Sequence, residues 1–214
     1  MLPRYPMSER HFFDTTARSK VRNAIVAVEA KTSAELVVAM RRQSDSYVHV
    51  DLAFGSLFAF IVLLLLLFLP QQFSVRWIPV DVFAAFFVGA AISWAAWSLK
   101  RWLVRNDTMQ SATWRAACTL FHEKKISRTS GRNGVLVLVS MLERYAQVVI
   151  DIGIDTEALG PDWQRCLDRL QAAVRAADFD SFVNGLVELG PVLGAAMPRA
   201  EDDVNELPDD PDLS

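Results

Sequence analysis

Three side chains near the ends of two predicted strands could supply hydrolytic chemistry. Ser140 ends an apolar run at 134–140, while Asp151 and Asp155 lie at and just beyond the end of a second run at 146–152. Carboxylates at a strand end can hold a hard cation such as Ca²⁺ or Mg²⁺ through their oxygens. A phosphatase needs a nucleophile or a metal-activated water beside donors for the phosphate oxygens. One hypothesis is therefore a metal-dependent phosphatase with Asp151 and Asp155 as metal ligands.

A structural explanation of the same residues competes with the catalytic one. Asp151 and Asp155 flank Gly153, and aspartate at a glycine turn commonly bonds nearby backbone. Calcium takes roughly six to eight oxygen ligands, and the sequence does not show that many here. Glu143 and Arg144, at the tip between the two strands, are interpreted as a solvated ion pair. We predict no catalytic residue and, as cofactor, either none or Ca²⁺ or Mg²⁺ at Asp151 and Asp155.

The chain that must position these side chains is typical of a small α/β domain. Apolar stripes at the helical period predict four helices, which start near Asp14, Asn106, Pro161 and Asp178. Runs of aliphatic and β-branched residues predict strands at 34–41, 134–140 and 146–152. The long stretch between the first two strands excludes a tight hairpin but permits parallel pairing through a crossover. The predicted fold class is α/β, with a small mixed β-sheet flanked by helices in an α/β/α sandwich.

Two apolar runs interrupt this α/β pattern. Residues 52–75 and 82–99 contain no Asp, Glu, Lys or Arg. A helix of about 20 apolar residues crosses a hydrocarbon layer of about 30 Å, and both runs approach that length. Pro70, Gln71, Gln72 and Pro79 mark a short turn between them. We predict a two-helix transmembrane hairpin with spans at about 52–72 and 80–99.

Basic residues lie on both outer flanks of the hairpin, and its loop holds Arg76 alone. The flanking residues are Arg41, Arg42, Lys100, Arg101 and Arg105. Because Lys and Arg stay on the cytoplasmic side, both ends of the chain are predicted to be cytoplasmic. The absence of ionisable residues from the runs 52–75 and 82–99 argues against a transporter. A net charge of −3 favours no nucleic-acid partner.

The hairpin divides one predicted soluble domain into two halves. Residues 1–50 and 101–198 are expected to form a single cytoplasmic domain, with the hairpin at 51–100 inserted between them. Each half alone leaves strand edges and an apolar helix stripe uncovered, so neither is expected to fold by itself. Residues 199–214 are predicted to be an acidic, flexible tail that does not pack.

Three passages resemble the TPM domain family, which is named for thylakoid proteins in photosystem II repair and includes bacterial and animal relatives. They are TSAELVV at 32–38, RNGVLVLV at 132–139, and the return strand at 144–153 that ends in glycine. The resemblance covers about residues 14–42 and 107–197. The chain departs from the family pattern at Asp151, where the return strand often carries the first glycine of Gly-x-Gly. It also carries its hairpin inside the domain.

The resemblance implies an α/β/α sandwich in a membrane-bound bacterial member, here multi-pass in the inner (plasma) membrane. Family members are linked to repair or assembly of membrane complexes, and some are described as acid phosphatases or metal-binding proteins. We therefore expect a membrane-anchored accessory, assembly or quality-control protein, with the alternative of a membrane-bound metal-dependent phosphatase. The expected partners are another integral membrane protein or complex and the lipid bilayer. Small residues such as Gly55 and Gly89 allow close helix contact, either within the hairpin or with that partner.

Overall fold

A computed structural model describes residues 7–69, 74–200 and 204–213. The chain separates into two compact units. The hairpin unit consists of the described residues within 46–106, and the sheet domain of the described residues within 7–45 and 107–213. The sheet domain is thus built from chain on both sides of the hairpin unit.

The sheet domain is built from helices and short strands on both sides of the hairpin unit. Before the hairpin unit they are α1 (Met7–Arg10), α2 (Thr15–Glu29) and β1 (Glu35–Arg41). The hairpin unit holds α3 (Val48–Phe68), α4 (Ile78–Ala95) and α5 (Trp97–Leu103). After it come α6 (Asn106–Glu123), a 3-10 turn (Ile126–Arg128), β2 (Gly134–Ser140), β3 (Tyr145–Ile150), α7 (Gly160–Ala176), α8 (Phe179–Ala196) and β4 (Asp212–Leu213).

The strands form a mixed four-stranded sheet in the order β3-β2-β1-β4. β1 and β2 are parallel, with Glu35 opposite Gly134 and Arg41 opposite Ser140. β2 and β3 are antiparallel, with Ser140 opposite Tyr145. The predicted small mixed sheet, with a parallel pair formed across the long crossover, is confirmed.

Helices cover both faces of the sheet. Alternate residues of β1 point to opposite faces, so Leu36, Val38 and Met40 join the core formed with α2, α7 and α8. Val37 and Ala39 join a smaller core formed with α6. A strand buried on both faces is apolar almost throughout, which is why these runs lack alternation. The predicted α/β/α sandwich is confirmed.

The fourth strand corrects the prediction for the acidic segment at 199–214. Asp212 and Leu213 pair with Ala39 and Met40 of β1 in a parallel arrangement. Leu207 and Leu213 also pack against the two cores. The prediction that this segment does not pack is wrong for residues 204–213, because its few apolar residues reach the open edge of β1.

The hairpin unit contains two helices, α3 and α4, that are long and apolar enough to cross a membrane by length and composition. Only 17 % of the most apolar window of each helix is buried, whereas a core helix of a soluble protein is mostly buried. Pro79 lies in the first turn of α4, where a fixed φ and a missing N–H are tolerated. The predicted turn residues Pro70, Gln71 and Gln72 lie outside the described residues.

Candidate functional site

The sheet keeps the predicted hydrolytic residues apart. Ser140 is the last residue of β2, and Asp151 follows β3, whose antiparallel pairing returns the chain to the start of β2. The Asp151 N–H accordingly donates to the Gly134 carbonyl at 2.9 Å. Six residues of extended chain, at about 3.3 Å each, put Ser140 and Asp151 about 20 Å apart. The arrangement therefore does not bring this nucleophile candidate to the two carboxylates.

Asp151 is paired with a neighbouring guanidinium. Arg132 Nε donates to Oδ2 at 2.9 Å and Nη2 donates to Oδ1 at 3.0 Å, while the Ile152 N–H donates to Oδ1 at 2.8 Å. The Asp151 side chain is 3 % exposed and Arg132 is 47 % exposed. The hydrogen bond to Asp151 raises the pKa of Arg132 above its ordinary value. This bidentate geometry ties the turn before β2 to the turn after β3.

Asp155 makes a local turn contact. Its Oδ1 accepts the N–H of Glu157 at 2.9 Å, and the side chain is exposed. Within residues 7–69, 74–200 and 204–213, no three His, Cys, Asp or Glu side chains are grouped so as to hold a metal ion. Asp151 and Asp155 as ligands of Ca²⁺ or Mg²⁺ stay a prediction.

Ser140 belongs to a buried hydrogen-bond network. Its hydroxyl donates to Glu143 Oε2 at 2.5 Å, and Glu143 Oε1 accepts the Ser44 N–H at 2.9 Å. Ser140 is fully buried and Glu143 is 4 % exposed. The network fastens the chain leaving β1 to the turn after β2, so Ser140 serves here as a structural donor.

Glu143 and Arg144 are not the solvated ion pair that the sequence predicts. Arg144 instead binds the fully buried carboxylate of Glu9 through Nη2 at 2.9 Å, and it also donates to the Arg175 carbonyl. The turn residue Arg144 adopts the left-handed region at φ 55°. Through Arg144 the β2–β3 turn therefore contacts α1 and α7. Glu143 has separate partners, the buried Ser140 hydroxyl and the Ser44 N–H.

A groove of about 470 Å³ lies beside the carboxyl ends of β1 and β2. Open α/β sheets commonly bind ligands in the crevice outside the carboxyl ends of their strands. The groove presents Arg41 from β1 together with Arg115, Thr119 and Glu123 from α6. These α6 residues recur every four positions, a helical spacing that could have identified this face in the sequence. The two arginines of the groove are already paired, Arg41 with Asp212 at 3.3 Å and Arg115 with Asp45 at 3.5 Å.

The segment 204–213, which we call the acidic strap, contacts residues near both the beginning and the end of β1. Glu35 accepts the N–H groups of Glu206 and Leu207 at 3.3 and 3.2 Å. The Ser130 N–H donates to both carboxylate oxygens of Glu206, at 3.1 Å to Oε1 and 3.0 Å to Oε2. The Ser130 hydroxyl also donates to Glu206 Oε1, at 2.5 Å. The Ser130 hydrogen bonds lower the pKa of Glu206. Glu35 thus anchors the strap.

The far end of the strap is held by cations. Asp212 lies 2.8 Å from Lys124 Nζ and 3.3 Å from Arg41 Nη2, and Asp210 lies 3.2 Å from Arg18 Nη1. The Lys124 hydrogen bond, aided by the charge of Arg41, lowers the pKa of Asp212 against the opposing effect of partial burial. Three basic side chains from three elements therefore meet the acids of the strap.

Glu29 is the group whose pKa is raised most clearly. Burial raises the pKa of Glu29 to about 7, although its Oε1 accepts the Leu36 N–H at 3.0 Å. The nearby charges of Asp209 and Glu35 add to the increase. These three carboxylates line one cavity of about 150 Å³ with Arg199. Glu29 therefore gains or loses a proton near neutral pH, a property that the helical pattern of α2 does not signal.

The interface between α3 and α4 is built from small residues. Gly55, Ala59, Ala85, Gly89 and Ser93 are among the buried residues of the two helices. A Cβ atom on Gly89 would lie 2.6 Å from Phe58 Cβ and 3.1 Å from Gly55 Cα. The sequence left open whether these glycines allow close helix contact within the hairpin or with a partner protein. In the structure they lie at the contact between α3 and α4.

One buried ion pair lies in the hairpin unit. Lys100 Nζ is 3.0 Å from Asp51 Oδ2, and the Ser93 hydroxyl donates to Asp51 Oδ1 at 2.7 Å. The side chains of Lys100 and Asp51 are 8 % and 11 % exposed. These residues directly bracket the apolar runs, so the pair closes the end of the hairpin where α3 begins and α4 ends.

Comparison with known proteins identifies a structural likeness. The NMR structure of the BA42 protein from the psychrophilic bacterium Bizionia argentinensis is similar over 95 % of this chain and 96 % of that chain, with a TM-score of 0.56 and 16 % identity. No protein-family model and no curated protein matches the chain. At this identity the likeness concerns the fold alone, and it agrees with the mixed sheet flanked by helices.

Proposed function

We propose that this protein is a membrane-anchored accessory or assembly protein whose hairpin unit lies in the bilayer. The observation that carries the proposal is the apolar outer surface of α3 and α4. Leu57 and Phe60 on α3 are each 56 % exposed, and Phe83 and Phe87 on α4 are 66 % and 55 % exposed. In water this continuous surface would be a severe aggregation liability, whereas hydrocarbon solvates it.

The buried ion pair supports the same placement. Charged groups in or beside a membrane are costly unless they are paired and turned toward the bundle interior. Asp51, Lys100 and Ser93 satisfy one another inside the hairpin unit, which leaves the outer surface of α3 and α4 apolar. We place the pair at the cytoplasmic boundary of an inner membrane, with both chain ends in the cytoplasm as the basic flanks favour.

We further propose that the sheet domain is a TPM-like domain. The three passages that resemble the family, at 32–38, 132–139 and 144–153, lie in or next to β1, β2 and β3, which are neighbours in one sheet. A family resemblance that falls on contiguous strands concerns one structural unit. On this basis the sheet domain supplies the cytoplasmic surface that engages a membrane protein complex.

Membrane insertion and topology are tested first. Intact protein should remain in the membrane pellet after alkaline carbonate washing. A variant with Leu65→Lys and Phe87→Lys, both on exposed positions, should be released or degraded. A matched variant with Arg128→Lys in the sheet domain should behave as the wild type. A cytoplasm-active reporter fused after Ser214 should be active; recovery of unmodified protein in the soluble fraction would overturn the proposal.

The partner is tested by affinity purification of the intact protein in a mild detergent. We expect another integral membrane protein to co-purify in constant proportion, and repeated recovery of the protein alone would contradict the accessory role. The same preparation tests the phosphatase alternative. Hydrolysis of a chromogenic phosphate with Ca²⁺ or Mg²⁺, lost in Asp151→Ala, would replace the accessory proposal by an enzymatic one.

A further inference from the structure

The acidic strap binds the sheet in the manner of a short peptide ligand. It adds a parallel strand to the edge of β1, where Asp212 and Leu213 are the two residues of the segment 204–213 that form residue pairs. Leu207 packs against the core on the α6 side, and Leu213 packs against the core on the opposite side. Main-chain pairing on a sheet edge, with side chains entering pockets on either face, is a recurrent mode of peptide recognition.

The edge of β1 is complementary in charge to the strap. Arg18 on α2, Arg41 at the end of β1 and Lys124 after α6 meet Asp210 and Asp212 at 2.8–3.3 Å. These cations come from elements far apart in sequence, so the fold itself assembles them. Glu35 adds a fixed acceptor for two N–H groups at the other end of the strap.

The contact of the strap with α2 is weak enough to be exchanged for another. The Arg18–Asp210 pair is 52 % and 55 % exposed, and ion pairs in such solvent contribute little to stability. The strand pairing is two residues long, although β1 has seven residues. A sheet edge covered by so short a strand remains a template for a longer one.

We propose that the outer edge of β1, marked by Arg18, Arg41 and Lys124, is a docking site for an extended acidic segment of a partner protein, and that the acidic strap occupies it in cis. The favoured segment carries acids at alternate positions, for Arg18 and for the Arg41–Lys124 pair, followed by an aliphatic residue in the place of Leu213. The proposal concerns the sheet domain and does not depend on membrane insertion.

The test displaces the strap from within the intact, detergent-solubilised chain. Asp210→Lys combined with Asp212→Lys sets like charges against the three cations and frees the edge. The probe is a fluorescein-labelled peptide with the sequence of residues 204–213, VNELPDDPDL, followed by fluorescence anisotropy. Because the tethered strap competes at a high effective concentration, the double variant should bind the peptide at least about tenfold more tightly than the wild type.

Controls separate edge binding from general attraction. Asp180→Lys removes an acid paired with Lys20 outside the strap and should leave peptide affinity at the wild-type level. A scrambled peptide of equal charge should not bind the double variant. Adding Arg41→Glu and Lys124→Glu to the double variant should abolish binding. Asp212→Asn keeps the side-chain shape but removes the charge, so it should raise the affinity for the peptide by a smaller factor, about threefold.

Two outcomes would overturn the proposal. One is a double variant with wild-type circular dichroism that does not bind the peptide. The other is a concentration-dependent dimer of the unmodified chain that the double variant cannot form, which would assign the edge to the strap of a second copy.

Discussion

Lys100 Nζ and Asp51 Oδ2 lie 3.0 Å apart in the hairpin unit, with both side chains almost completely buried. Neither residue belongs to an uncharged run, yet together they define where those runs begin and end. The carboxylate uses its second oxygen to accept the Ser93 hydroxyl. The charges at the end of the hairpin thus neutralise each other, so Lys100 has a structural partner within the hairpin unit.

Removing one member of this pair should be more harmful than removing both. Lys100→Met leaves the Asp51 carboxylate buried without its cation, and we expect a loss of about 3 kcal/mol in the free energy of unfolding. Lys100→Met with Asp51→Leu should recover much of that loss. The measurement is denaturation of the detergent-solubilised protein. Asp81→Asn, at an exposed acid in the first turn of α4, is the matched control, and equal effects of Lys100→Met and Asp81→Asn would contradict the role of the pair.

The close approach of α3 and α4 predicts a steric penalty at Gly89. A leucine there must displace Phe58 or the α3 backbone at Gly55, so Gly89→Leu should lower stability by about 1–3 kcal/mol. Ala84→Leu, on an exposed position of the same helix, should change it little. Thermal unfolding in detergent compares the two variants. A Gly89→Leu protein as stable as Ala84→Leu would mean that the helices do not meet at this glycine.

Glu29 predicts a pH dependence of stability in the sheet domain. Its pKa is raised from 4.5 to about 7 in the folded protein, so the folded state holds a proton that the unfolded chain releases near pH 4.5. The contribution of Glu29 is therefore most favourable below about pH 4.5, declines as pH rises to about 7, and is constant above that.

Glu29→Gln should remove this slope while retaining the acceptor for the Leu36 N–H. Since solvent reaches part of the side chain, we expect the variant to be more stable by about 1 kcal/mol at pH 8 and equal to the wild type at pH 4. Urea unfolding across this pH range provides the measurement, with the exposed Glu157→Gln as control. Parallel curves for wild type and Glu29→Gln would contradict the assignment.

The Arg132–Asp151 pair predicts competition with any bound cation. Arg132→Ala leaves a buried carboxylate with less compensation, and we expect a lower melting temperature than the wild type without added metal. If Asp151 and Asp155 bind Ca²⁺, millimolar Ca²⁺ should stabilise Arg132→Ala more than the wild type, and Asp155→Asn should cancel that difference. Melting curves with and without chelator measure both effects. An Arg132→Ala protein as stable as the wild type would show that the pair does not hold the two turns.

The sequence by itself determined the class of fold and the longer helices and strands. The helical stripes, the apolar strands at β1, β2 and β3, and the two uncharged runs all express local periodicity or composition, which a single chain displays directly. The long separation of β1 from β2 also excluded a tight hairpin and permitted their parallel pairing through a crossover. The sequence did not predict β4, because an acidic, proline-containing segment has no strand signal of its own.

Only the tertiary structure decided which side chains meet. Ser140 and Asp151 are close in sequence but lie at opposite ends of the sheet, since an antiparallel strand returns to the start of its partner. Asp51 and Lys100, and likewise Arg18, Arg41 and Lys124 with the acidic strap, are distant in sequence yet adjacent in space. Such long-range charge pairs leave no periodic trace in the chain, because their geometry depends on register and packing rather than on spacing.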